Sequence, residues 1–239
     1  MSVFVSKALE IASRKNSRLI LAVDLYAEHR EHRFKIADKL EKLLSSVEEY
    51  VAGVKIGLPT ILSLTPDAVK ELITNKAWNC FFIADMKVAD IGYVSSFLVK
   101  EAAFMGFDAI IAHAVIGYDA VKTIVDEAKR NGLGVLTVCA MTHKGADEAI
   151  NKLFNENINA SLKAGVDGLI LPATRPQLIK EARSLVKDKI IVSPGVGVQG
   201  AKPGAAVSAG ADFEIIGRSI YLAKDPKKAA EFFAKKLGW

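Results

Sequence analysis

Cysteine is scarce: Cys80 and Cys139 are the only two. Each sits in an apolar, strand-like run, outside any Cys-x-x-Cys pair and without a histidine at ligand spacing. That excludes a disulfide framework or a thiolate metal site and predicts buried free thiols in a reducing cytoplasm. Histidine is nearly as rare, and positions 29, 32, 113 and 143 form no metal-binding spacing. No apolar run reaches the ~18 residues of a membrane span, and the N-terminus lacks a signal peptide's continuous hydrophobic stretch. The net charge is +5, but the lysines are dispersed through helix-like segments such as 223–236. Without a basic block interleaved with aromatics, nucleic-acid binding is not expected, whereas an anionic small molecule suits the balance. Linkers, low-complexity tracts and repeated sequence are also missing. The 239 residues therefore read as one domain, 1–239, with ample length for a core.

What is present is alternation. Apolar strand-like runs end near residues 24, 55, 85, 112, 141, 171, 193 and 217. Helix-periodic stretches separate them, over 34–50, 94–105, Tyr118–Arg130, 147–164 and 176–186, with a short helix to Gly210 and a closing helix. A further amphipathic helix, Val3–Lys15, precedes the first strand. Thr65-Pro66 reads as an N-cap and first helical residue, and Asn131-Gly132 as a C-terminal stop. Eight strand–helix units imply a parallel sheet with right-handed crossovers, the size of a single (β/α)8 TIM barrel with an extra N-terminal helix. A doubly wound open sheet is the rival.

The barrel reading makes a demand on the sequence, because active sites of that fold lie at the C-terminal ends of the strands. Asp24, Lys55, Asp85, Lys87, His113, Thr142 and Arg218 all fall there, while the strands' first halves are nearly all apolar. The densest place is Phe81-Phe82-Ile83-Ala84-Asp85-Met86-Lys87-Val88-Ala89-Asp90-Ile91. In extended chain Asp85 and Lys87 point the same way, and Asp90 follows where the chain turns. A structural ion pair is the plain alternative. The second aspartate leaves the trio net negative, however, with spare negative potential beside a protonated lysine. His113 is read as a satisfied structural histidine, and His143 as a surface residue.

Near the other end, Gly195-x-Gly197-x-x-Gly200 matches a dinucleotide fingerprint in letters only, since it follows the seventh strand and not the first. In a barrel, the loops after strands 7 and 8 commonly bind phosphate. The expectation is a glycine loop whose amides approach the anion, aided by a helix starting near Lys202-Pro203 and by the fork of Arg218.

Taken together, Asp85-Met86-Lys87-Val88-Ala89-Asp90-Ile91, Leu21-Ala22-Val23-Asp24, Val54-Lys55-Ile56-Gly57, Met141-Thr142-His143, Pro194-Gly195-Val196-Gly197-Val198-Gln199-Gly200 and Gly217-Arg218-Ser219-Ile220-Tyr221 resemble the orotidine 5′-monophosphate decarboxylases, in their short archaeal-type form. The likeness spans the chain and keeps motif order. It implies a homodimeric barrel without cofactor or metal that converts orotidine 5′-monophosphate to uridine 5′-monophosphate and CO₂. By the same resemblance Lys87 would protonate C6, Asp85 would face the substrate carboxylate, and Lys55 would complete a Lys–Asp–Lys–Asp array. Asp24 and Lys55 would touch ribose hydroxyls, Thr142 the pyrimidine, and Gln199 and Arg218 the phosphate, with Pro194, Val198 and Gly217 lining the substrate. Asp90 would reach the partner's site across shared active sites. One departure stands out: Val94 occupies a place where many relatives carry threonine, and Ser95 is the candidate replacement. Two rivals remain. A Mg²⁺-dependent sugar-phosphate lyase or decarboxylase of the same superfamily usually has glutamate in place of Lys55. A non-catalytic nucleotide-binding regulator would not need Lys87 and Asp85 together.

Overall fold

The computed structural model describes residues 2–29 and 32–239. Eight strands, β1 (Leu19–Val23), β2 (Gly53–Gly57), β3 (Phe81–Val88), β4 (Ala109–His113), β5 (Gly134–Val138), β6 (Gly168–Ile170), β7 (Ile190–Pro194) and β8 (Phe213–Ile216), close in chain order into a barrel. Every pairing is parallel, including β8 with β1. The open-sheet rival is thereby overturned. Helices α1 (Val3–Lys15), α2 (Arg33–Val47), α3 (Leu58–Ser63), α4 (Pro66–Thr74), α5 (Gly92–Phe104), α6 (Tyr118–Arg130), α7 (Phe154–Ala164), α8 (Pro176–Leu185), α9 (Ala205–Ser208), α10 (Arg218–Tyr221) and α11 (Pro226–Lys236) accompany them.

Side-chain alternation along the strands splits the core in two. Outward residues such as Leu19, Leu21, Val54, Ile56, Phe82 and Ile110 pack under the helices. Inward ones such as Ile20, Ile83, Ile111, Leu136, Val192 and Phe213 fill the barrel, joined by Phe4, Val5, Ala8, Ile11 and Ala12 of α1. Phe4, Phe81 and Phe213 meet edge-on, with ring centroids 5.8 and 5.6 Å apart. The extra helix therefore stoppers the N-terminal end, which leaves the opposite mouth for a ligand.

Local signals explain most helix ends. The hydroxyls of Ser2 and Thr65 accept the amides of Val5 and Ala68, and Pro66 opens α4. The helix expected over 147–164 begins only at Phe154, because residues 144–153 form two 3₁₀ turns. Asn151 accounts for this: its side chain takes both the N–H and C=O of Met141, a local bond that competes with helix. The short α3 and α10 were not anticipated, because each starts at a glycine with no capping side chain.

A repeat missed in the sequence also emerges. Gly106-Phe107-Asp108, Gly165-Val166-Asp167 and Gly210-Ala211-Asp212 precede β4, β6 and β8, each glycine at positive φ. The three carboxylates accept the amides of Phe82, Val135 and Ile191 on the preceding strand, at 2.7–2.8 Å. Each aspartate thus fixes the register of one strand pair. No helix among the described residues is long and apolar enough to cross a membrane.

Candidate active site

At the C-terminal mouth lies a cavity of about 330 Å³. Asp24, Lys55, Asp85, Lys87, Thr142, Pro194, Val198, Gln199, Gly217 and Arg218 all line it. Of the residues given a catalytic or substrate-binding role from the sequence, Asp90 alone does not.

Asp85 is the electrostatic centre. Its carboxylate accepts Lys55 Nζ at 2.6 Å and Lys87 Nζ at 2.8 and 2.9 Å. Asp24 stands 3.7 Å from Lys55 Nζ. The side chains of Lys55 and Asp85 are 8% and 7% exposed, against 44% for Lys87, so the Lys87 end of the cluster is the wet one. Burial pushes the Asp85 carboxyl up, but the charges and hydrogen bonds of Lys55 and Lys87 outweigh it and hold the group below its ordinary value. The expected net-negative trio is corrected here. Asp90 stays outside, its carboxylate accepting the amide of Ile91 at 2.7 Å, and two ammonium groups share the carboxylate of Asp85. With Asp24 beside Lys55 the four charges balance, and Arg218 adds a positive charge to the same cavity, which favours an anionic ligand.

Simple alternation does not deliver Lys87 to Asp85. Pairing with β4 steps from Ala84↔Ile110 to Val88↔Ala112, four residues against two. The bulge is absorbed by Lys87 in the left-handed region at φ 44°, a conformation that side-chain-bearing residues adopt at a cost. Close approach also dictates Gly57, where a β-carbon would lie 1.7 Å from Asp24 Oδ1. Glycine there makes room for the carboxylate next to Lys55.

His113 ends β4 on the same side as Ile111, which lines the cavity. Its Nδ1 is buried without a hydrogen-bond partner among the described residues, so the expectation of a satisfied histidine fails. Burial and the charge of Lys87 lower its pKa against the pull of Asp85, favouring neutral imidazole. His143 is exposed, as expected.

The glycine loop folds back on itself. Gly197 donates to the carbonyl of Ala201 at 3.0 Å, and Ala201 to that of Gly195 at 3.1 Å. This presents Val198 and Gln199 to the cavity that Arg218 and Ser219 also line. The helix expected to aim its positive end at a phosphate does not do so. α9 begins at Ala205, and the amides of Gly204, Ala206 and Val207 are all taken by the buried carboxylate of Glu214. Ser219 and Tyr221 also line the cavity without having been singled out. Tyr221 follows Arg218 by three residues on α10, a helical spacing that shares one face.

The model of the orotidine 5′-phosphate decarboxylase / HUMPS family matches residues 17–233. An orotidine 5′-phosphate decarboxylase of Methanosarcina mazei is 37% identical over 224 residues, covering 93% of this chain and 96% of the relative. One from Pyrococcus abyssi is 35% identical over 89% of this chain and 95% of its own. Among solved structures, the Methanocaldococcus jannaschii orotidine 5′-monophosphate decarboxylase complexed with the inhibitor BMP superposes with a TM-score of 0.82 at 31% identity. That match covers 92% of this chain and 98% of the other. The Sulfolobus solfataricus enzyme gives 0.80 at 31%, over 92% and 97%.

Proposed function

The chain belongs to the orotidine 5′-phosphate decarboxylase / HUMPS family, and from that premise we propose how its cavity works. The reaction is decarboxylation of orotidine 5′-monophosphate to uridine 5′-monophosphate and CO₂, in pyrimidine biosynthesis. The observation that carries the mechanism is the Lys55–Asp85–Lys87 cluster in a cavity that Gln199 and Arg218 also line. The bond from C6 to the carboxylate breaks with its electron pair left on C6. The Lys87 ammonium stabilises that charge and delivers its proton to form the C6–H bond. Solvent reprotonates the half-exposed amine. Asp85, held ionised by the two lysines, sets a negative charge against the substrate carboxylate and favours its departure as neutral CO₂.

The remaining roles follow position. Asp24 and Lys55 hold the ribose hydroxyls, Thr142 the pyrimidine edge, and Gln199 and Arg218 the phosphate, between walls formed by Pro194, Val198 and Gly217. Remote phosphate binding then supplies the energy to orient the charges. Asp90 acts in the partner's site within a homodimer. What supports this is its exposure beside Ile91, Tyr93, Val94 and Phe97, which are 66%, 72%, 37% and 47% exposed, an apolar strip suited to a two-fold contact. Ser95 does not replace the missing threonine. It is fully buried, and its hydroxyl donates to the carbonyl of Asp90 at 2.8 Å. Two buried free thiols fit a cytoplasmic location.

A magnesium-dependent lyase would need an anionic ligand where Lys55 stands, and two ammonium groups around Asp85 repel a divalent cation. The test is the fall in ultraviolet absorbance of orotidine 5′-monophosphate in excess EDTA, with turnover expected to be undiminished. Activity lost in chelator and restored by Mg²⁺ would favour the lyase, and binding without turnover the regulator.

A further inference from the structure

Glu214 is the one acid in the strand Phe213-Glu214-Ile215-Ile216, and it is completely buried. Neighbours Phe213 and Ile215 face into the barrel, so Glu214 faces out, under the helical layer. Its Oε1 accepts the amides of Ala206 at 2.8 Å and Val207 at 3.2 Å, and its Oε2 that of Gly204 at 3.0 Å. No ion pair to it is found among the described residues; backbone amides alone satisfy the carboxylate. Burial raises its pKa, and the three hydrogen bonds oppose the rise. An apolar side chain would leave those three amides without an acceptor, so the carboxylate serves the fold of this turn.

Its place in the chain supplies another reason. The three amides sit where the loop bearing Val198 and Gln199 runs into α9. Three and four residues beyond Glu214, the chain leaving the same strand brings Gly217 and Arg218, the start of α10, to the cavity. One side chain therefore ties the trailing end of the loop to the strand that leads into Arg218. We infer that Glu214 is a positioning residue that holds Gln199 and Arg218 at the spacing of one phosphate group. This rests on the decarboxylase reading given above.

The test compares Glu214→Gln with wild type on orotidine 5′-monophosphate and on the unphosphorylated nucleoside. Glutamine keeps the shape but turns one acceptor into a donor facing amides. Expected is a fall in kcat/KM for the nucleotide of about 10- to 100-fold, the scale of one lost charge-assisted hydrogen bond, carried mainly by KM. Nucleoside turnover should be unchanged. Glu214→Ile, which fills the layer without charge, should reproduce the split even where its melting temperature matches wild type. Equal losses on both substrates, or no loss, would overturn the inference. So would failure of both variants to fold, which would make the carboxylate a folding element. A wild type inert toward the nucleotide would instead sink the decarboxylase reading. The inference would then be read from calorimetry of uridine 5′-monophosphate against uridine, where Glu214→Gln must weaken the phosphorylated ligand alone.

Discussion

Lys87→Gly and Lys87→Ala both remove the ammonium, but only glycine tolerates the backbone that carries it. The left-handed φ of 44° at Lys87 costs a residue with a β-carbon about 1–2 kcal/mol, and alanine inherits that cost. Glycine escapes it while paying about 0.5–1 kcal/mol of extra chain entropy on folding. Each variant loses the same contact to Asp85, and because Lys87 is 44% exposed, solvent screening keeps its worth to about 1 kcal/mol or less. Lys55 remains on Asp85 at 2.6 Å, so the buried carboxylate is not stranded. The glycine variant should therefore be more stable than the alanine variant by up to about 1.5 kcal/mol, a difference of at most about 3–6 °C in melting temperature. Both should lose kcat by several orders of magnitude with little loss of nucleotide affinity, because the missing interaction belongs to the transition state. Calorimetry measures the first quantity, and ultraviolet assay with uridine 5′-monophosphate titration the second. An alanine variant that melts above the glycine variant would refute the strain argument. Either variant retaining a tenth of wild-type kcat would remove Lys87 as the essential acid.

Arg218→Ala should cost about 2–4 kcal/mol in kcat/KM on the phosphorylated substrate and almost nothing on the nucleoside; equal losses would assign Arg218 to the fold or to the chemistry. Mixing inactive Lys87→Ala and Asp90→Asn homodimers after dissociation should restore about a quarter of wild-type activity, since half the dimers are hybrids with one intact site. No recovery, with hybrids seen by native mass spectrometry, would sink the shared site. Asp85 has a folded pKa below its ordinary 3.8, so its contribution to stability is present above that value and lost as pH falls through the lower, folded one. Asp85→Asn should accordingly flatten the acid limb of the stability–pH curve below about pH 4, and an unchanged slope in acid denaturation would contradict the pairing.

The strand–helix alternation was legible because buried parallel strands must be apolar and helices must be periodic, whatever surrounds them. From it the barrel followed, and with the barrel came the rule that Asp24, Lys55, Asp85, Lys87, Thr142 and Arg218 share one mouth. Tertiary structure decided what those charges do to one another. Alternation along β3 foretold that Asp85 and Lys87 would meet, but the bulge and left-handed backbone that make them meet answer to pairing with β4. The exclusion of Asp90 depends on where the chain turns after Val88, and no spacing encodes that. Glu214 shows the limit most plainly. In the sequence it is one acid in an apolar strand, without periodicity or motif to mark it. Its partners lie 7, 8 and 10 residues back, on the far side of a turn, and only folding brings their amides to the carboxylate. Local chemistry is written in the order of residues, whereas a buried charge takes its meaning from groups that the chain delivers from elsewhere.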